Sequence, residues 1–114
     1  MPDFSRELPN EIFIPLGRKG FHPINLKACI KCSNAERFVL DFYEKVEHPV
    51  EETEDTKKEI ADYKVICKNC GAEYQIRMIQ LKKIVDGKEE RMVINFNILN
   101  KEGKDEGWLG SLYQ

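Results

Sequence analysis

The chain holds four cysteines, arranged as two Cys-x-x-Cys pairs, Cys29/Cys32 and Cys67/Cys70. Two thiolates three positions apart on a tight turn can point at one ion, and a second such turn closes a tetrahedron around it. In the second pair, Cys67-Lys68-Asn69-Cys70-Gly71, a glycine directly follows the last thiol. The chain must turn sharply there, and glycine takes a left-handed conformation without a Cβ clash. The pattern predicts one structural four-cysteine site holding a single Zn²⁺. Iron in a rubredoxin-like site would use the same ligands, and spacing does not choose between the two metals.

Other uses of cysteine fit less well. A disulfide framework suits a small secreted domain, yet the longest apolar run near the start is Ile12-Phe13-Ile14, far short of a signal h-region or a membrane span. A thioredoxin-type redox pair needs one Cys-x-x-Cys in a βαβ context, not two matched pairs among strands. His22 precedes Pro23 and His48 precedes Pro49, so both are expected in turns and neither is needed as a ligand. Ser5, Ser33 and Ser111 lie in no nucleophile elbow, and the seven glycines form no phosphate-binding pattern. A closed four-thiolate site also lacks the open position that zinc catalysis requires. The expectation is a non-enzymatic, cytoplasmic protein with no membrane partner and no small-molecule substrate.

With 114 residues, 41% apolar and 33% charged, the chain is expected to be one domain, or a small domain with tails, with a modest core. A structural zinc site can contribute on the order of 10 kcal/mol to folding, so loss of the ion should unfold the cysteine-bearing half. Formal charge is −2 with neutral thiols, and four thiolates around a divalent ion make the balance more acidic still. That is not the footprint of a general nucleic-acid binder. The distribution is polarised, however. Arg18, Lys19, Lys27, Lys31 and Arg37 face only Glu36, and Lys64, Lys68, Arg77, Lys82 and Lys83 face only Glu73. Between them, residues 47–59 carry six acids against Lys57 and Lys58. Cations near the cysteines can offset the site's own negative charge, or they can form a patch for phosphate or an acidic protein surface.

The elements that must position the cysteines read as β. Residues 37–47 alternate Phe38, Leu40, Phe42 and Val46 against Val39, Asp41, Tyr43 and Lys45, predicting a strand that leaves the first pair. Residues 63–67 read as a short strand entering the second pair, and Tyr74, Ile76 and Met78 alternate with Gln75 and Arg77 beyond it. Asp86-Gly87 is the preferred pair for a two-residue type I′ hairpin turn. On its far side Met92, Ile94, Phe96 and Ile98 share one face, with Asn95 and Asn97 on the other. These segments predict a four-stranded antiparallel meander clamped at one end by the metal. Residues 51–62 are polar without an apolar face and read as loop.

Cys29-Ile30-Lys31-Cys32, and Val65-Ile66-Cys67-Lys68-Asn69-Cys70-Gly71 followed by Tyr74, resemble a zinc ribbon over roughly residues 27–82. The resemblance implies that each pair caps a β-hairpin turn, called a knuckle, beside a three-stranded sheet. It implies metal and fold but not function, since zinc ribbons serve in transcription, translation, replication and enzyme subunits. Residues 33–66 separate the two pairs, a longer spacer than the usual stretch of about fifteen to twenty. A weaker likeness is to the zinc ribbon of transcription elongation factor S, where an Asp-Glu pair at a hairpin tip assists transcript cleavage inside RNA polymerase. Glu54-Asp55 is the nearest adjacent pair here, reversed in order, and acidic runs are ordinarily solvated loops.

The ends complete the organisation. Residues 1–23 form a Pro-rich N-terminal arm, either a partner-binding arm or a tail laid over the sheet. Residues 24–99 form the zinc-ribbon-like β domain, with an acidic insertion at 47–59. Residues 100–114 are a polar spacer and an apolar segment holding the only tryptophan, Trp108. That segment either folds back into the core or docks on a partner through aromatic anchors. The core reading is preferred, because a free Trp108 beside Leu109, Leu112 and Tyr113 would make a sticky tail.

The sequence therefore predicts a small mainly-β protein: a zinc-ribbon-like antiparallel sheet with an added C-terminal hairpin and one structural metal site. It is expected to act by binding, first as a regulator or adaptor on a protein partner such as a transcription machine. The alternative is direct nucleic-acid binding. Candidate binding residues are Arg18, Lys19, Lys31, Lys68, Arg77, Lys82, Lys83, Trp108 and Tyr113.

Overall fold

Strand-forming segments run through most of the chain in a computed structural model, which describes residues 4–36 and 38–113. The strands are β1 (Glu11–Pro15), β2 (Phe21–Asn25), β3 (Leu40–Glu47), β4 (Glu51–Glu52), β5 (Thr56–Cys67), β6 (Glu73–Val85), β7 (Lys88–Asn100) and β8 (Asp105–Tyr113). They form one antiparallel sheet in the order β2-β1-β8-β7-β6-β5-β3, with β4 paired to β5. No helix of the described residues is long and apolar enough to cross a membrane.

The four expected strands correspond to β3, β5, β6 and β7, and they are neighbours in that order. Their alternation explains the core. Tyr63, Val65, Tyr74, Ile76, Phe96 and Ile98 project to one face and join Ile12, Leu26 and Phe42 in a single buried cluster. Asp86 and Gly87 both adopt positive φ, 52° and 78°, between the paired residues Val85 and Lys88, the geometry of the expected type I′ turn.

Four local expectations are corrected. Residues 51–62 are not loop: β5 begins at Thr56 and pairs along its length with β6. Polar side chains there are compatible with a strand because its neighbours are themselves polar (Thr56 opposite Lys83, Lys57 opposite Lys82). Phe38 is not a core strand residue; it precedes β3 at φ 63° and is 67% exposed. A bulge at Tyr43 then shifts the β3–β5 register, so Val46, expected to face inward with Phe42, is exposed. His22 lies in strand β2 opposite Ile14 rather than in a turn. Arg37, the expected start of the strand that became β3, and the side chains of Met92 and Tyr113 lie outside the described residues.

The strands nearest the two ends, β1 and β8, are both in the sheet. The β1–β2 hairpin joins β8 through Phe13 opposite Ser111, and Ile12 is fully buried. Gly110 permits this approach, since a Cβ there would sit 3.0 Å from the carbonyl oxygen of Phe13. Leu109 and Leu112 pack against the core, whereas Trp108 is 46% exposed. The preferred core reading of Trp108 is thus corrected. On β8 it lies opposite Asn97, whose neighbours Phe96 and Ile98 are the ones that turn inward.

Candidate metal centre

The first cysteine pair lies in the connection 26–39, between strands at opposite edges of the sheet; the second caps the β5–β6 hairpin. The two turns are nevertheless built alike. Ser33 N–H donates to the Cys29 carbonyl at 2.9 Å, and Gly71 N–H donates to the Cys67 carbonyl at 2.9 Å. Cys29 N–H donates to the Asn34 carbonyl and Cys67 N–H to the Ala72 carbonyl, each again at 2.9 Å. The main-chain N–H of Cys32 points at Cys29 Sγ at 3.4 Å, and that of Cys70 at Cys67 Sγ at 3.5 Å. Gly71 has the left-handed φ expected of it, 76°, and Ser33 takes the same place at 62°. The ribbon likeness expected a hairpin at both pairs, and only the second pair has one.

Folding brings all four sulfurs within 4.8 Å of one another. Cys29 Sγ lies 3.7 Å from Cys70 Sγ, and Cys32 Sγ 3.8 Å from Cys67 Sγ. A tetrahedron with metal–sulfur bonds of about 2.3 Å has edges of about 3.8 Å, which is the spacing of these two pairs. No disulfide, at about 2.05 Å, joins them, and all four cysteines are free. Cys29 and Cys67 are buried, while Cys32 and Cys70 face outward.

The electrostatics agree with a cation site. The Asn69 side-chain amide donates to Cys32 Sγ at 3.5 Å and, with other donors, lowers the Cys32 pKa to about 6. The Cys70 main-chain N–H likewise lowers that of Cys67. Cys70 goes the other way. Although Ala72 favours its thiolate, desolvation and the neighbouring cysteines push it up to about 12. Four sulfurs this close cannot all carry charge unaided, and a divalent ion held by them would supply the missing compensation.

The remaining candidate residues do not form one patch. Arg18 and Lys19 are exposed in the short turn between β1 and β2. Lys31 is exposed in the first cysteine turn, 3.9 Å from Glu106, and Lys68 is exposed in the second. Arg77 is held by Asp62 through bonds of 2.7 and 3.0 Å. Lys82 contacts Glu59 at 3.1 Å and Glu89 at 3.7 Å. Lys83 is exposed but lies ten positions along β6 from Glu73, roughly 33 Å at strand rise. Glu54 and Asp55 sit at the tip of the β4–β5 turn, which is closed by Thr53 N–H to the Thr56 carbonyl at 2.8 Å.

A network not foreseen in the sequence lies along the sheet. Asp62, 5% exposed, accepts from Arg77 on β6 and pairs with His48 Nε2 at 2.8 Å. Burial alone would raise its pKa, but Arg77 and His48 outweigh that and hold the carboxyl below the ordinary value. Nothing in the sequence signalled it, because residues 51–62 read as loop; the pair becomes meaningful once Asp62 and Arg77 are cross-strand partners.

The fold and site define a small antiparallel β protein in which four cysteines cluster closely enough to hold a metal ion. No protein-family model, curated protein or solved structure matches the chain.

Proposed function

We propose that the protein is a non-enzymatic, zinc-stabilised β module that binds a protein partner, as a regulator or adaptor on a larger machine such as an RNA polymerase. The observation that carries the reading is the closed sulfur cluster, in which four cysteines meet at tetrahedral spacing and leave no coordination position for a substrate. Zinc is the metal of choice for such a site because its d¹⁰ shell accepts tetrahedral thiolates without redox chemistry. The ion would tie the 26–39 connection to the β5–β6 hairpin, and so join segments from opposite edges of the sheet.

Charge pairing favours protein over nucleic acid. Lys45, Lys57, Arg77 and Lys82 each contact a carboxylate, so much of the positive charge in the sequence is already met within the fold. The test is binding of single- and double-stranded oligonucleotides to the zinc-loaded chain over a salt series, beside affinity capture with crosslinking from cell extract. The reading expects a stoichiometric protein partner and only weak oligonucleotide binding at physiological salt. Tight binding that falls linearly with log salt, and weakens in Lys68→Glu/Lys83→Glu, would contradict it.

A second reading rests on one specific observation. Phe13 and Phe21 meet edge-to-face with centroids 6.4 Å apart, next to exposed Arg18 and Lys19 in the same hairpin. Aromatic faces beside cations can stack unpaired bases. Under this reading Arg18→Glu/Lys19→Glu lowers affinity for single strands and flattens the salt dependence.

A further inference from the structure

Tyr74 is only 1% exposed, and among the described residues its hydroxyl is the buried side-chain polar atom without a hydrogen-bond partner. A phenol in a protein core ordinarily finds a partner for its O–H. Where none exists, phenylalanine fills the same space without the cost of desolvating the hydroxyl. An orphaned hydroxyl therefore marks a place where an acceptor is to be sought. Other buried polar side chains in the sheet are served: Gln75 donates to the Lys101 carbonyl, Ser111 to Asn95, and Asp62 accepts from Arg77.

The surroundings of that hydroxyl are the metal centre. Tyr74 lies at the start of β6, just after the second cysteine turn, and pairs with Val65, two positions before Cys67 on β5. Val65, Cys67 and Tyr74 thus share the inward face, and all three join Cys29 in the buried core cluster. The ring reaches across to the first cysteine turn, where the Ile30 main chain approaches the phenol oxygen as a donor, short of a formed hydrogen bond. A donor there meets a lone pair of the oxygen and leaves the phenolic proton unused. Burial, which outweighs Ile30, and then the negative sulfurs of Cys29, Cys67 and Cys70 raise the Tyr74 pKa and keep that proton in place. Cys29 and Cys67 are themselves buried, so water does not reach their sulfurs freely. Asn69, donating to Cys32 Sγ, shows sulfur of this cluster already acting as a side-chain acceptor.

We propose that Tyr74 is a positioning residue of the metal centre, its hydroxyl donating a hydrogen bond to Cys29 Sγ when the four cysteines hold their ion. The proposal deepens the zinc-site reading and rests on it. Coordination makes Cys29 a thiolate, a far better acceptor than a thiol, so the bond belongs to the loaded state. It ties β6, which leaves the second turn, to the leading cysteine of the first. It also draws charge from a sulfur that solvent cannot serve, as groups behind metal ligands commonly do.

The test compares the full chain, loaded with Zn²⁺, Co²⁺ or Cd²⁺, with Tyr74→Phe, which keeps the ring in the core and removes the hydroxyl alone. Chelator competition should show Zn²⁺ held about tenfold more weakly by the variant. The sulfur-to-cobalt charge-transfer absorption should move to longer wavelength, because a thiolate that loses a donor gives up an electron more readily. A ring that only packs would leave that band in place. In the cadmium-loaded wild type, proton NMR should find the Tyr74 hydroxyl in slow exchange and scalar-coupled to the metal through sulfur. That result does not depend on how the variant folds. An unmoved cobalt band in a folded variant, whatever its Zn²⁺ affinity, would overturn the proposal. So would a wild-type hydroxyl proton that lacks the coupling, whether it exchanges freely or contacts a bound water. Either failure in a protein that still binds one ion through four sulfurs removes Tyr74 alone. A wild-type chain that takes up no metal, or holds it through nitrogen or oxygen, removes the zinc-site reading and the proposal together.

Discussion

Ser33 and Gly71 occupy equivalent positions in the two cysteine turns, one residue after the second thiol, at φ 62° and 76°, each donating to the carbonyl of the leading cysteine at 2.9 Å. A metal turn requires this left-handed step whichever residue supplies it. The sequence displays the requirement at Gly71 and hides it at Ser33.

The equivalence predicts asymmetric tolerance. Gly71→Val should destabilise the zinc-loaded protein by about 1–2 kcal/mol, because a β-branched residue resists positive φ. Ser33→Gly should change stability by less than about 1 kcal/mol, relief of strain being offset by the greater freedom of the unfolded chain. Urea unfolding of both variants at saturating zinc checks this.

The Asp62 network predicts a pH signature. The folded-state pKa of Asp62 lies below its unfolded value of about 3.9. Its contribution is therefore fully present above pH of about 4 and is lost as the pH falls through the folded value. Asp62→Asn should remove that part of the acid dependence. Arg77→Met, which strands a largely buried carboxylate with His48 alone, should cost about 2–3 kcal/mol near neutrality, a discounted figure because Arg77 is part-exposed. Chemical denaturation from pH 3 to 7 measures both.

Much of the fold was legible where alternation was strict. The strands around Tyr74, Ile76 and Met78, and around Ile94, Phe96 and Ile98, bury the residues expected, because period-two alternation with one buried face is the physical definition of such a strand. Legibility failed where pairing, not burial, makes the strand. Residues 56–62 are mostly polar, yet β6 beside them supplies a full ladder. The Tyr43 bulge was invisible because it inverts facing without changing composition. The cysteine cluster was readable from spacing alone; the partners that stabilise it, such as Asn69, needed geometry.

The C-terminal strand predicts a contrast between neighbours. Trp108→Ala should cost less than about 1 kcal/mol, since the residue is 46% exposed. Phe96→Ala, at a fully buried position on the adjacent strand, should cost about 3–5 kcal/mol. Thermal or urea unfolding separates them, and the Trp108 emission should resemble that of a partly hydrated indole.

Close packing of the two chain ends predicts that Gly110 is intolerant. Any side chain there meets the Phe13 carbonyl at 3.0 Å and Ile12 at 3.1 Å, main chain and core that cannot yield freely. Gly110→Val should cost about 2 kcal/mol or more. It should also raise amide exchange across the β1–β2 hairpin ahead of the rest of the sheet.

The central claim, that four thiolates hold one zinc ion and with it the fold, is tested most directly by zinc-edge X-ray absorption on the purified chain, with circular dichroism before and after chelation. The account predicts one zinc per chain, four sulfur neighbours at about 2.3 Å, and loss of cooperative unfolding when the ion is stripped or Cys67 is changed to serine. Nitrogen or oxygen ligands at the metal, or a metal-free protein that keeps its β spectrum and cooperative melt, would contradict it.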